Sequence, residues 1–248
     1  MTSYSYANDF FDFVDQSSGR SAAAFLSKML PTLKPASVLD IGCGRGVWLA
    51  AWQKLGVQDI QGVDGAYVDR NRLHIPAPQF QAADIGQPLE LSRPFDLVEC
   101  LEVGEHLPEG RADQLVANIV RHGQMILFSA AIPGQGGEHH VNEQPIRYWA
   151  DKFRGHGFRV FDWPRQQVQG LTQIEPWYRY NTLLYVHADK VGSLAPAILA
   201  TEIKAGEPIP EHAPLLWQAR CAVLRCLPAP VIHRLAQIKH RLMTRRAA

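Results

Sequence analysis

Three glycines at alternate positions, Gly42, Gly44 and Gly46, constrain this chain more than any other feature. They follow the apolar run Val38-Leu39-Asp40-Ile41, and a helical pattern starts directly after them. The stretch reads as a buried strand, a tight turn and a helix N-terminus. Glycine supplies the positive φ that such a turn needs and lets a ligand lie against bare backbone. The unpaired amides at the start of the helix suit a carboxylate or a phosphate. A nucleotide-like ligand is therefore expected here.

The pattern on either side predicts a parallel α/β sheet. Strands are expected at 37–41, 59–63, 79–83, 95–101, 125–132, 159–163 and 181–187, with helices at 21–33, 45–55, 109–121 and 146–156. Residues 4–16 alternate aromatics with Asp and Asn and read as a short helix or a lid. Three parts follow: an N-terminal helical or lid segment (1–34), the ligand-binding domain (35–188), and a proline-containing linker with a helical tail (189–248). In the tail, helices are expected at 215–227 and 231–244, split by Pro228-Ala229-Pro230.

Charge is uneven. The net charge is +1, yet no acid follows Glu211, whereas Arg220, Arg225, Arg234, Lys239, Arg241, Arg245 and Arg246 do. The remainder holds 18 basic against 24 acidic residues. An acidic body thus carries a basic amphipathic tail, expected either to pack on the body or a partner subunit or to make a peripheral contact with an anionic membrane. The four cysteines form no C-x-x-C, the N-terminal residues do not resemble a secretory leader, and no apolar run approaches the ~18 residues of a membrane span. A cytoplasmic protein is expected.

The ligand can be narrowed. A dinucleotide site would show G-x-G-x-x-G; here the order is D-x-G-C-G-x-G. Asp40, two residues before the first glycine, suits a cationic ligand and repels a pyrophosphate. Asp64 ends the second strand about 20 residues on, where an acid accepts hydrogen bonds from ribose hydroxyls. Asp84 follows the third strand and can accept from an adenine amine. Strand-end aspartates also cap the next helix, which is the structural alternative.

The segments VLDIGCGRG, GVDG, AADI and FDLVECLEVGEHL together resemble the class I S-adenosylmethionine-dependent methyltransferases over about residues 35–187. The resemblance implies a Rossmann-like seven-stranded, mostly parallel sheet with its last strand antiparallel, plus the C-terminal helical extension. It implies that Gly42, Cys43, Gly44 and Gly46 face the methionine part and that Asp40 lies near its amino group. Asp64 with Gly65 would hold the ribose, Asp84 the adenine, and Ile85 and Leu101 would line the ring. The run EVGEHL, then GQGGEHHVNEQ, then WYRYN is similar to a bacterial subfamily linked to glycan and secondary-metabolite pathways.

Transfer to a hydroxyl requires removal of its proton by a base or by a metal that lowers its pKa. Two stretches offer such groups. In the first, a helical turn would put Glu102, Glu105 and His106 on one face. The second, after strand five, holds Glu138, His139, His140, Asn142 and Glu143. The E-x-x-E-H arrangement with a later His resembles the metal site of small-RNA 3′-terminal 2′-O-methyltransferases and, in part, ubiquinone-pathway O-methyltransferases. Glu102, Glu105, His106 and His140 are the expected ligands of Mg²⁺, Mn²⁺ or Zn²⁺. Without a metal, His106, His140, Glu105 and His139 are the candidate acid–base groups, with His140 favoured over His139. Gly134, Gly136 and Gly137 predict a loop that closes over substrate. Trp149 and Trp163 are expected in the core, and residues 177–180 either there or in a pocket wall.

The expected reaction is O-methylation of a sugar, glycan or small metabolite. An RNA terminus is disfavoured by the acidic body. A non-catalytic cofactor-binding subunit is the third reading.

Overall fold

A computed structural model describes residues 8–228, 231 and 234, with side chains from residue 15 onward. The elements run in order: α1 (Asn8–Leu33), β1 (Ser37–Ile41), α2 (Val47–Lys54), β2 (Asp59–Asp64), β3 (Phe80–Ala82), β4 (Leu97–Leu101), α3 (Ala112–His122), β5 (Met125–Ser129), α4 (Ile146–Gly155) and β6 (Phe158–Phe161). Then follow α5 (Trp163–Val168), α6 (Pro176–Asn181), β7 (Leu183–His187), α7 (Pro196–Leu199), β8 (Glu202–Ile203) and α8 (Leu215–Arg225).

The strands form one sheet in the order β3-β2-β1-β4-β5-β7-β6-β8. β1 to β5 are parallel, so the carboxyl ends of β1, β2, β4 and β5 open on one rim. β7 runs antiparallel to both β5 and β6. β1 is buried at every position and β4 at all but the last, as strands covered on both faces are. One apolar cluster on the α1/α2 side includes Phe25, Met29, Trp52 and Phe161. The other, on the α3/α4 side, includes Leu115, Ile119, Phe128 and Trp149.

The structure corrects five expectations. The sheet has eight strands: β8 pairs antiparallel with β6, Val160 opposite Ile203 and Phe161 opposite Glu202. Glu202 is drawn there by an ion pair with Arg159, and Arg154 donates to the Ile203 carbonyl. The segment after 189 is therefore no simple linker, and it also buries Val191, Leu194 and Ile198.

The N-terminal helix starts at Asn8, well before Ser21. Residues 17–20, left between the two expected elements, belong to the helix, and Ser17, Ser18 and Ser21 are all buried. Ser18 pairs with the Tyr178 hydroxyl, and Ser21 Oγ accepts from Glu175 N and donates to the Ser17 carbonyl. Trp163 opens α5 rather than closing β6, because Pro164 favours the first turn of a helix. Asn181 ends α6 rather than starting β7. Trp149 and Trp163 are core residues, as expected. Helix 215–227 is present as α8, whereas most of 231–244 lies outside the described residues.

Candidate functional site

The side of the rim expected to hold the cofactor is built by β1, β2 and their turns. Gly42, Gly44 and Gly46 all have positive φ, at 89°, 52° and 82°. At Gly42 a Cβ would lie 2.4 Å from Val103 Cγ2, so conformation and space both exclude a side chain. The Gly42 and Cys43 amides donate to the Val63 carbonyl, which folds the turn back over β2. Gly44 N then donates to Asp64 Oδ2 at 2.6 Å. Cys43 is buried beneath the turn and packs in the core.

Asp64 is held from the other side as well. Its Oδ1 accepts from Gly65 N at 2.6 Å and from the Tyr67 hydroxyl at 2.5 Å. Burial raises its pKa, opposed by these three donors. Asp40 is also buried, and its pKa is raised first by burial and then by Glu99 and Asp64. Glu99 is its register partner on β4. The Glu99 side chain is fully buried, accepts from Trp52 Nε1 at 2.9 Å and is pushed up to about 8 by burial. Its Oε1 has no hydrogen-bond partner. A cationic group arriving at this rim would offset the burial that raises Asp40 and Glu99 and would favour their charged forms.

Asp84 is exposed and caps its own turn through Gly86 N. Ile85 is partly buried against the α3 side and Leu101 against the α1/α2 side. The loop after β3 is fixed by Asn118 of α3, whose amide donates to the Ile85 and Gln87 carbonyls while its oxygen accepts from Leu89 N.

Across the rim, the turns after β4 and β5 form one unit. Glu102 has φ +57° and precedes a 3-10 turn at Gly104–His106. It therefore does not share a helical face with Glu105 and His106. Its Oε2 instead accepts from Gln135 Nε2 at 2.7 Å, and Asn181 Nδ2 donates to Gln135 Oε1. Among the described residues, Glu105, His106 and His140 bring ligand atoms within 4.8 Å of one another. Glu105 is buried and neither of its oxygens has a well-formed hydrogen-bond partner; burial and Glu102 raise its pKa. Gly104 admits the Trp149 ring, which a Cβ would meet at 2.6 Å.

The two imidazoles sit edge to face with centroids 5.0 Å apart. His106 Nδ1 meets the His139 carbonyl at 3.2 Å, and burial pushes its pKa down to about 3. His140 Nδ1 pairs with Glu143 Oε1 at 2.8 Å. Burial raises the Glu143 pKa, but His140 and the amides of Gly134 and Gly136 outweigh it and hold the carboxyl below its usual range. With Nδ1 engaged by Glu143, His140 presents Nε2 over the bare Cα of Gly137, where a Cβ would meet it at 2.1 Å. His139 has φ +59° and contributes its carbonyl to the cluster.

The glycine-rich loop is not an open lid. Glu143 accepts from Gly134 N and Gly136 N, and Val141 N and Asn142 N donate to the Glu105 carbonyl. Tyr178 and Tyr180 are buried, and Tyr178 stacks edge-on against Trp48. Sequence reasoning passed over Glu99, Tyr67, Asn118, Gln135 and Asn181. Glu99 carried a signal, as a charge inside an otherwise apolar strand, and Gln135 and Asn181 lie within the runs GQGGEHHVNEQ and WYRYN.

Known proteins share part of this sequence and its fold. The chain is 31% identical over 125 residues to a ubiquinone biosynthesis O-methyltransferase of Neisseria meningitidis, covering 47% of this chain and 48% of that one. It is 32% identical over 101 residues to the same-named protein of Albidiferax ferrireducens, covering 37% and 40%. The chain thus spans about half the length of the curated relatives it matches.

Among solved structures, the sugar N-methyltransferase KedS8 from Streptoalloteichus has a TM-score of 0.57 at 16% identity, covering 75% of this chain and 95% of that one. DesVI from Streptomyces venezuelae scores 0.55 at 16% identity, covering 75% and 100%. Magnesium protoporphyrin IX methyltransferase from Synechocystis, solved with bound SAH, scores 0.51 at 18% identity, covering 71% and 84%. These likenesses establish the fold. The family described as "methyltransferase domain" matches residues 14–157, from α1 through the glycine turn and the rim to the end of α4, and the chain belongs to that family.

Proposed function

We propose that the chain is an O-methyltransferase that moves the methyl group of S-adenosylmethionine to a hydroxyl of a sugar, glycan or small metabolite. The observation that carries the reading is the pairing of two half-sites on one rim. One is the glycine turn with Asp40 and Asp64; the other is the Glu105–His106–His140 cluster with Glu143 behind it. The curated relatives are named O-methyltransferases, which supports the reaction; the structural neighbour KedS8 is a sugar N-methyltransferase, which supports a sugar as acceptor but not its hydroxyl.

The sulfonium is already an electrophile, so the protein's first task is alignment of the acceptor oxygen with the methyl group. The second is proton removal. His140 Nε2 is the base: Nδ1–H is held by Glu143, whose charge stabilises the imidazolium as it forms. His106, kept neutral by burial, packs edge to face beside it and orients the acceptor.

The same residues fit a divalent metal. Two imidazole nitrogens and a buried carboxylate without hydrogen-bond partners are a mixed N/O donor set that suits Mn²⁺ or Zn²⁺ better than Mg²⁺. Glu105, His106 and His140 would hold the ion, which when bound would lower the pKa of a coordinated hydroxyl. Glu102 is turned toward Gln135 and stands outside this set. Activity in EDTA separates the two versions: full activity leaves His140 as a plain base, and loss restored by Mn²⁺ or Zn²⁺ assigns the cluster to metal. Asp64→Asn tests the cofactor half by calorimetry with adenosylhomocysteine; unchanged affinity would overturn the ribose assignment.

A further inference from the structure

Glu99 is an acid in the middle of an apolar strand, and the fold sets a second acid beside it. Asp40 on β1 and Glu99 on β4 are register partners, on strands about 4.8 Å apart. Their neighbours Leu39, Ile41, Val98 and Cys100 all point to the α3/α4 cluster, so both acids point to the α1/α2 side. Glu99 is completely buried and Asp40 is 4% exposed.

One donor serves the pair. Trp52 Nε1 donates to Glu99 Oε2 at 2.9 Å, and Glu99 Oε1 has no partner. Among the described residues nothing donates to the Asp40 carboxyl. The surrounding elements bring no cation to it either. β2 contributes Asp64, the glycine turn the Cys43 thiol, and β4 the Cys100 thiol on the opposite face. β5 sets the apolar Leu127 beside Glu99, and α1 faces the cluster with Phe25 and Met29. Arg45 of the same turn pairs with Asp15 of α1. Two carboxylates this close and this dry do not both ionise, because like charge and burial oppose it together. One proton therefore belongs to the pair.

The cofactor of the methyl-transfer reading carries two cationic groups, a sulfonium and an ammonium. A sulfonium has no N–H or O–H and leaves an acceptor unsatisfied, whereas an ammonium offers three donors. The acid pair lacks both positive charge and donors, so the ammonium is its match. We propose that Glu99 acts through Asp40 in recognising that ammonium: the pair holds one proton in the cofactor-free protein and releases it to solvent when the ammonium pairs with Asp40. The ammonium keeps its own protons, and the proton that leaves is the one the two acids shared. Glu99 touches no ligand; it sets the charge of the acid that does. The pair itself stands on β1 and β4, and the identity of the cation rests on the methyl-transfer reading.

The test is titration calorimetry of the full chain with adenosylhomocysteine, which keeps the ammonium and lacks the sulfonium, at about pH 7 in phosphate and in Tris. The two buffers differ in heat of protonation, so the difference between the two apparent enthalpies counts the protons released. The unaltered chain should release about one proton, since the free pair holds it to about pH 8. Its affinity should rise up to about tenfold per pH unit below that value and level off above it. Glu99→Gln keeps an acceptor for Trp52 and has no proton to release. Its count should fall to near zero and its affinity should be flat across the same range, whereas a merely structural role would weaken binding without changing the slope. Binding without proton release by the unaltered chain overturns the proposal and leaves the methyl-transfer reading standing, and this count needs no variant. An unchanged count and slope in Glu99→Gln also overturns it. Release with adenosylmethionine but not with adenosylhomocysteine assigns the proton to the sulfonium and overturns the ammonium assignment. Adenosylhomocysteine that does not bind the unaltered chain at all overturns the methyl-transfer reading, and this inference with it.

Discussion

Replacing Tyr67 by Phe should tighten cofactor binding, and the reason is a count of lone pairs on Asp64. An ionised carboxylate offers about four acceptor positions, two on each oxygen. Gly44 N takes one on Oδ2, and Gly65 N and the Tyr67 hydroxyl take both on Oδ1. A ribose diol bound to this acid needs two positions, and one is left. The two backbone donors belong to the turn itself and cannot leave without unfolding it. Tyr67 can leave: it is 46% exposed and lies against the bare Cα of Gly65, where a Cβ would meet its ring at 2.2 Å. In the cofactor-free protein the phenol therefore stands where a ribose hydroxyl would.

A hydrogen bond to a charged acceptor contributes about 1.5–3 kcal/mol when buried. Partial exposure of the phenol lowers this to about 1 kcal/mol, or roughly fivefold in affinity. Titration calorimetry with adenosylhomocysteine measures it directly. Tyr67→Phe should bind roughly fivefold more tightly, and its cofactor-free form should lose about 1 kcal/mol of stability. Equal or weaker binding, with Asp64→Asn still impaired, would refute the displacement argument while leaving the ribose assignment standing.

Three other outcomes are expected. Glu99 holds its proton to about pH 8 in the folded state against about 4.5 otherwise, so the native state binds the extra proton between those values. Stability should therefore fall as pH rises through that window, by on the order of a few kcal/mol, and Glu99→Gln should flatten the slope in urea titrations. Gly42→Ala adds a Cβ 2.4 Å from Val103 at a φ of 89°, so it should cost about 1–3 kcal/mol in urea unfolding and weaken adenosylhomocysteine binding. Asn118→Ala leaves Leu89 N and two carbonyls without their partner, so a loss of about 2–4 kcal/mol is expected by chemical denaturation.

The sequence made the glycine turn legible because its signals are local. Strand, glycines and strand-end acids sit within a few residues of the turns they form, and the strand at 37–41 is found as expected. The rim was legible as a set of residue types but not as geometry. The positive φ of Glu102 removes that residue from the cluster, and no spacing rule anticipates a left-handed glutamate. α1 was misread at Ser17–Ser21 because the burial that satisfies these serines comes from Tyr178 and Glu175, more than 150 residues away. β8 has two residues, too few for any periodicity to register. Tyr67 and Asn118 are ordinary surface-helix and loop residues until the fold brings their partners to them.

Gln135 is one side chain and one carbonyl serving three neighbours: Glu102, Asn181 and Arg220. Its consequence is kinetic. A loop tied at this crossing, and again at Glu143, has surrendered its conformational freedom during folding, before any acceptor arrives. On the methyl-transfer reading, acceptor capture is expected to follow a single bimolecular phase whose rate scales with concentration, without the slow unimolecular step that a closing lid would add.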